Sequence, residues 1–406
     1  MRILHSSDWH LGQHFMGKTR QAEHQAFLAW LIEQVQVHRV DAVIVAGDIF
    51  DTGAPPSYAR ELYNGFIVAL RETGAELVVL GGNHDSVAML GESRTLLAHL
   101  NTRVIPGVCA EPADQLLLLE RREGGPGALL CGIPFIRPRD VLHSQAGQSA
   151  EDKQLSLQQA IQQHYQALHA LAEARRDALG GELPIIATGH LTTVGASASE
   201  SVREIYVGAL EAFPTSAFPP AAYIALGHIH KPQKVGGLEH IRYCGSPIPL
   251  SFDEARQQKE VLLVSFEGRA LQGIAPLAVP CFQPLVSLRG SLATLAAGIA
   301  EAARRGTAER AVWLEILVEG DDYLSDLQPR IAALCEGLPV EVLRIRRARG
   351  TATASLQTAA RETLDELSPD QVFAQRLAHE TLDEALHAQL RGLYRQVVGE
   401  LQQEPT

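Results

Sequence analysis

The sequence predicts an α/β fold: a large layered domain first, a small α+β unit after it and a helical segment at the end. Three observations carry this prediction. Short apolar runs recur through residues 1 to 276 and each stops at a polar, glycine-containing motif; stretches of helical period lie between them; and the texture changes after Pro280. Runs that are short and apolar almost throughout suit strands buried on both faces.

The elements follow in order. Ile3 and Leu4 precede SSDWH, Ala42 to Ala46 precede GDIFD, and Leu77 to Leu80 precede GGNHD. Ile185 to Thr188 precede GH, and Tyr223 to Leu226 precede GHIH. Between the first runs, residues 23–38 place Phe27, Leu28, Leu31, Ile32 and Val35 on one helical stripe, and residues 60–71 space Leu62, Phe66 and Leu70 by four. Both read as helices packed on the sheet. Residues 151–177 carry Leu155, Ile161, Tyr165, Leu168 and Leu171 at helical spacing, which predicts a surface helix inserted before the next strand. The connection from Thr192 to Phe213 is long enough to line the rim of a site, and EVLLVSF with the turn at Gly268 predicts a hairpin that closes the sheet. Residues 281–348 then read helix, strand, helix, strand. Residues 355–401 are helical in pattern, with Ser368 and Pro369 as a start signal and a stripe of Leu382, Leu386, Leu390, Leu393 and Val397. That stripe must dock, either on its own chain or on a partner.

Composition narrows the function classes. The 406 residues are 46% hydrophobic with a formal net charge of -12, which argues against a coat of positive charge for wrapping nucleic acid while leaving room for a local groove. The five cysteines show no CxxC spacing, so thiolate metal sites are excluded and a reducing compartment is expected. Charge and histidine come too early in MRILHSSDWH for a secretory leader, and no apolar run spans a membrane. A soluble cytoplasmic protein is the expectation.

Just past the strand ends stand Asp8, His10, Asp48, Asn83, His84, His190, His228 and His230. Ligands of open α/β sheets gather outside the carboxyl ends of the strands, so one rim would collect all of them. The donors are oxygen and imidazole nitrogen without sulfur, a set for manganese, iron or zinc rather than calcium or copper(I). They are too many for one tetrahedral ion but fit two divalent metal ions sharing a carboxylate. Two such ions about 3.5 to 4 Å apart can activate water and neutralise a phosphoryl centre, which points to phosphoester hydrolysis. Asp8, His10 and His230 read as one metal's ligands, Asn83, His190 and His228 as the other's, and Asp48 as the bridge. His84 is expected to contact phosphate or protonate the leaving oxygen, with Asp85 as an orienting acceptor. His24, His38, His164 and His169 lie in amphipathic helix patterns and read as structural.

The ordered set DWH, GDIFD, GGNHD, GH and GHIH resembles the signature of the calcineurin-like metallophosphoesterases. HSSDWHLGQ, VAGDIFDTGAPPSYAR, ATGHLTTVGA, ALGHIHKPQ and YCGSPIPLSFDE look more closely like the SbcD-type nuclease subunits of bacteria. That resemblance implies two mixed sheets flanked by helices over residues 1–276, a capping domain over 281–348 and a segment over 355–401 that binds the ATPase partner. It also implies a manganese-dependent DNA exonuclease and endonuclease acting in repair, recombination and replication, with Asp8, His10, Asp48, Asn83, His190, His228 and His230 as metal ligands and His84 as the catalytic histidine. The expected partners are an SbcC-like coiled-coil ATPase, a second copy of this subunit within a heterotetramer, and double-stranded or hairpin DNA; no membrane is implicated.

The acidic chain could then bind DNA through its metals and a partner's surface. The basic run LRIRRAR offers Arg346, Arg347 and Arg349 either as DNA contacts or as a solvated strand face, and Lys231, Arg137 and Arg139 are further candidates. Two rival functions stay open at this stage. One is a phosphoesterase for small phosphoesters; the other is a non-catalytic scaffold, which would be expected to lose the bridging Asp48 or several histidines.

Overall fold

A computed structural model describes residues 1–142, 150–203, 205, 210, 212–319, 326–347, 389, 390 and 393. In chain order, β1 (Arg2–Ser6) is followed by a small hairpin of β2 (His14–Phe15) and β3 (Lys18–Thr19), then α1 (Gln21–Val37), β4 (Ala42–Ala46), α2 (Ser57–Glu72) and β5 (Glu76–Leu80). Two short helices, α3 (Val87–Gly91) and α4 (Arg94–Ala98), lead to β6 (Thr102–Ile105). A hairpin of β7 (Leu116–Glu120) and β8 (Pro126–Cys131), α5 (Pro138–Val141) and the long α6 (Ala150–Ala178) precede β9 (Ile185–His190), β10 (Tyr223–Gly227), β11 (Gln233–Val235) and β12 (Leu238–Tyr243). The hairpin β13 (Glu260–Glu267) and β14 (Ala270–Ala278) comes last in the core.

These strands form two six-stranded mixed sheets, ordered β14-β13-β1-β4-β5-β6 and β11-β12-β10-β9-β8-β7. In the first, β1, β4, β5 and β6 are mutually parallel and β13 returns antiparallel beside β1, so the predicted hairpin does extend the sheet. In the second, β8, β9, β10 and β12 are parallel. The near-continuous apolar runs have a direct explanation. On β4, Ala42 and Ile44 face the other sheet while Val43 and Val45 face helices; on β8, Ala128 and Leu130 face inward while Leu129 and Cys131 face outward. With both faces covered, the period of two brings no polar residues to a surface.

Helices close the outer faces. Phe27, Leu28, Leu31 and Val35 of α1 and Phe66, Ile67 and Leu70 of α2 pack on the first sheet. Helix α6 covers the second, and here the sequence reading needs correction. The buried stripe is Leu157, Ile161, Tyr165, Leu168 and Ala172, whereas Leu155 and Leu171 are exposed at 56% and 40%. The expected helix is therefore an outer layer of the core, since each buried Leu or Ile contributes about 1.5–3 kcal/mol relative to exposure. Four layers result: helices, sheet, sheet, helix.

After the core, β15 (Leu285–Gly290), α7 (Leu292–Ala303), β16 (Val312–Val318), α8 (Leu327–Cys335) and β17 (Val340–Arg347) form a small unit around the three-stranded sheet β15-β16-β17. Strand β15 was not foreseen, because LVSLRG follows prolines and glutamine without a strand-like pattern. Strand β17 lies at the sheet edge. Trp313 stacks on Phe15 of the core at 5.8 Å between centroids, and Arg344 lies over Phe252 at 5.9 Å. The described residues of 1–317 and 326–346 cluster as one compact unit. The helical segment expected over 355–401 lies outside the described residues apart from 389, 390 and 393, and Arg349 lies outside them too. Among the described residues no helix is long and apolar enough to cross a membrane.

The interlayer core also holds a titratable group. His5 is fully buried, with Nδ1 2.9 Å from the Tyr223 hydroxyl, and burial lowers its pKa to about 3. The unfolded chain takes up this proton below its ordinary pKa near 6.5 while the folded chain refuses it until about 3, so stability falls as pH drops through that window. The slope from this group approaches about 1.4 kcal/mol per pH unit. Urea unfolding between pH 7 and 4 is expected to show His5→Gln losing stability less steeply than the parent, by about that slope. Parallel lines would sink the assignment.

Candidate metal centre

The ends of β1, β4, β5, β9 and β10 meet at one rim, and hydrogen bonds between successive loops lock them there. Asp8 N donates to Gly47 O at 3.0 Å, His10 N to Asp48 O at 3.1 Å and Leu11 N to Ile49 O at 2.9 Å, so the first two loops run side by side. The backbone is strained where the ligands sit. Of the seven non-glycine residues with positive φ among the described residues, four are Asp8 (53°), His10 (46°), Asp48 (51°) and His228 (92°). Each such conformation costs on the order of 1–3 kcal/mol and clusters at functional sites.

Two glycines make the approach possible. Gly47 has φ +95°, and a Cβ there would lie 2.1 Å from His190 Nδ1. A Cβ on Gly82 would lie 2.1 Å from Asp48 Oδ1. That contact explains the paired glycines of GGNHD: the second lets the Asn83–His84 turn close over the Asp48 carboxylate.

Three donor groups result, Asp8–His10–His230, His10–Asp48–His84 and Asp48–His190–His228, each with ligand atoms within 4.8 Å of one another. Asp48 belongs to two of them. Its Oδ2 lies 3.6 Å from His10 Nε2 and 3.3 Å from His190 Nε2, while its Oδ1 accepts from His84 N at 2.9 Å. Asn83 Oδ1 is 2.9 Å from His190 Nε2 and 3.1 Å from His228 Nδ1. Asp8 accepts from Ser7 Oγ at 2.6 Å and His228 N at 2.9 Å. All seven expected ligands thus come together, and all but the partly buried Asn83 are buried.

Several rings are oriented from behind. His190 Nδ1 donates to Ala46 O at 2.9 Å, which turns Nε2 toward the oxygens of Asn83 and Asp48. His10 Nδ1 is 3.1 Å from Asp51 Oδ1, and His10 Nε2 and His228 Nε2 are buried without a hydrogen-bond partner. Nitrogens desolvated with no partner normally cost free energy, so their convergence on buried carboxylates fits a cation. The fields agree. Burial opposes charge on His190, but Asp48 raises its pKa to about 9; burial likewise opposes charge on Asp48, and His190 with His10 holds it well below the usual carboxylate range. The described residues therefore offer paired Asp/His clusters suited to divalent cations.

His84 stands apart in its bonding. Its Nδ1 donates to Asp51 O at 2.8 Å, its ring meets His10 edge-on at 4.6 Å, and it remains partly exposed. Asp85 accepts from Gly82 N (2.8 Å), Phe50 N (3.0 Å) and Ile49 N (3.2 Å), which makes it a brace between two loops; burial, then Asp48, raises its pKa to about 6.

The residues predicted to meet DNA are scattered. Lys231 is exposed immediately after His230. Arg137 donates to Asp85 O at 3.2 Å and lies over Phe135, so it buttresses the Asp85 loop, while Arg139 is exposed beside Asp140. Arg346 lies 3.8 Å from Glu315, which also pairs with Arg344. Sequence reasoning assigned no role to Asp51, Ser201, Glu254 or Lys259. Asp51 and Glu254 end the motifs GDIFD and SFDE, and that repeated acid was the available signal. Glu254 is fully buried and accepts from Lys259 Nζ at 2.6 Å, Ser199 Oγ at 2.7 Å and Leu250 N at 3.0 Å.

Comparison with known proteins decides the family. Residues 1–232 match the model of the calcineurin-like phosphoesterases. The chain belongs to that family. Within it, the chain is 56% identical to the SbcD component of the nuclease SbcCD from Escherichia coli K12, over 97% of each chain. It is 33% identical to the component of that name in Rhodobacter capsulatus, over 92% of this chain and 94% of the relative, and 32% identical to that of Bacillus subtilis, over 65% and 66%. Residues 281–381 match a second model, described as the type 5 capsule protein repressor C-terminal domain. In the phosphoesterase core the paired clusters at the strand ends have the donor chemistry for hydrolysing a phosphodiester with two metals.

Proposed function

We propose that this chain is the nuclease subunit of a two-component machine that processes DNA ends and hairpins. The observation that carries the reading is the shared Asp48, buried between two histidine clusters at the rim of a calcineurin-like core. Identity of 56% to a nuclease component over nearly the whole chain supports the choice of a nucleic-acid substrate over a small phosphoester.

Asp8, His10, His230 and Asp48 would hold one cation, and Asn83, His190, His228 and Asp48 the other. Bound there, divalent ions, manganese first among them, would lower the pKa of an attacking water and neutralise charge building on the phosphoryl oxygens. The chain's own residues do the rest. Ala46 O holds the His190 ring with Nε2 toward the centre, and the loop bonds to Asp48 and Asp85 brace the turn that carries His84. With Nδ1 committed to Asp51 O, His84 has only Nε2 to offer the substrate. Burial lowers the His84 pKa, so the negative charge of the phosphodiester is what would hold a second proton there for the leaving oxygen.

Lys231, Arg139, Arg346, Arg347 and Arg349 are proposed phosphate contacts, with Arg137 acting through the Asp85 loop. Residues 281–348 serve as a capping domain and 355–401 as the grip on an SbcC-like ATPase, two subunits of each making the assembly. The test is cleavage of an end-labelled DNA hairpin and a linear duplex in Mn²⁺, with and without the ATPase and ATP. Cutting of both substrates, increased by the partner, is expected. Protein that holds two metals, binds the ATPase and cuts neither substrate would transfer the site to small phosphoesters or leave the chain a scaffold.

A further inference from the structure

Behind His230 lies a polar network, buried at Glu254 and Lys259 and half-buried at Ser199 and Ser201, that neither cluster of ligands requires. Ser201 Oγ is 2.5 Å from His230 Nδ1 and also donates to Glu254 Oε1. The same carboxylate oxygen accepts from Ser199 Oγ at 2.7 Å and lies 3.5 Å from His230 Nδ1. Its other oxygen accepts from Lys259 Nζ at 2.6 Å, and Lys259 also donates to the carbonyl of His230 at 3.0 Å. Glu254 and Lys259 are 0% and 4% exposed. So much buried polarity is retained only where the partners are satisfied: Glu254 also accepts from Leu250 N at 3.0 Å and Lys259 donates to Ser246 Oγ at 3.0 Å, while Ser201 and the Lys259 ammonium reach His230 itself.

Proton counting gives the direction of the chain of bonds. Glu254, ion-paired to Lys259, has no proton to donate, so the single hydroxyl proton of Ser201 goes to it. Ser201 can then only accept from the ring, and His230 must carry its proton on Nδ1. We propose that Ser201 is a positioning residue of the metal centre: it transmits the hold of Glu254 to His230, fixes the Nδ1–H tautomer and leaves Nε2 to ligate a cation. Carboxylate-backed histidines are a common device in metal sites, but here a hydroxyl stands between the two.

This placement has a structural consequence. Ser201 lies in the connection 192–213, and its neighbours dock the segment onto the same region: Glu200 N donates to Asp253 Oδ2 at 3.0 Å and Ser197 N to Gln233 Oε1 at 2.9 Å. The rim segment is thereby part of the ligand's support, and loosening it would disorder His230 without touching any ligand.

The inference rests on the metal-centre reading, and calorimetric titration of the metal-free protein with Mn²⁺ separates the two. Wild type should take up two ions. Ser201→Ala should weaken one of them by about 10- to 100-fold, Ser201→Thr should restore it, and Ser199→Ala, which spares the bond to His230, should bind like wild type. Nitrogen-15 NMR of histidine-labelled, metal-free protein should show His230 as Nδ1–H in wild type and a mixture of tautomers in Ser201→Ala. Wild type without metal uptake would overturn the metal centre itself. Two ions bound as tightly by Ser201→Ala, with the His230 tautomer unchanged, would overturn the role of Ser201 alone.

Discussion

Asp48→Asn is expected to abolish nuclease turnover and to cost the protein at least one of its two metals. Both oxygens of Asp48 are engaged: Oδ2 faces His10 and His190 while Oδ1 accepts from His84 N. An amide has one acceptor oxygen, so either orientation puts an NH2 group where positive charge or an N–H already points. Turned one way, it confronts the cation site; turned the other, it opposes His84 N and lifts the GGNHD loop. Losing the shared carboxylate removes several kcal/mol of charge stabilisation, and about 4 kcal/mol corresponds to roughly three orders of magnitude in rate. Metal content by mass spectrometry and turnover on the hairpin substrate check this together. A variant that keeps two ions and cuts within tenfold of wild type would show that Asp48 is not the bridge.

His84→Gln should separate chemistry from binding. Turnover is expected to fall by about 10² to 10⁴, the usual range for loss of a proton-transfer group, with both metals retained. The structure leaves a real alternative, since His84 also falls within a cluster with His10 and Asp48. Its tie through Nδ1 to Asp51 O and its partial exposure favour a group turned toward substrate. If His84→Gln loses metal as Asp48→Asn does, the residue is a ligand and the division of labour fails. If it keeps metal but turnover is unaffected, the proton comes from elsewhere, with Lys231 the next residue to change.

Most of the site was legible because each candidate ligand ends or closely follows an apolar run. A strand that stops at Gly47–Asp48 or Gly227–His228 shows its chemistry in one local motif, and the fold brings such ends to one rim. The phase of α6 was not legible. Leu155 and Leu171 match a helical period as well as Leu157 and Ala172 do, and only the sheet beneath selects which stripe is buried. Strand β15 escaped for a related reason, since its pairing in the small sheet comes from β16 rather than from its own pattern.

The support of the ligands was the least visible part. Asp51 stands 41 residues from His10, and Ser201 and Glu254 are separated by 53. No local spacing announces such bonds, because they depend on which loops the tertiary fold lays side by side. The sequence by itself determined the layered core, the metal-binding residue types and the phosphoester chemistry, all of which are written in short-range pattern. The tertiary structure alone decided that Asp51 backs His10, that Gly82 admits the closing turn and that His230 is held from behind, since hydrogen bonds and close contacts depend on distance in space and not on separation along the chain.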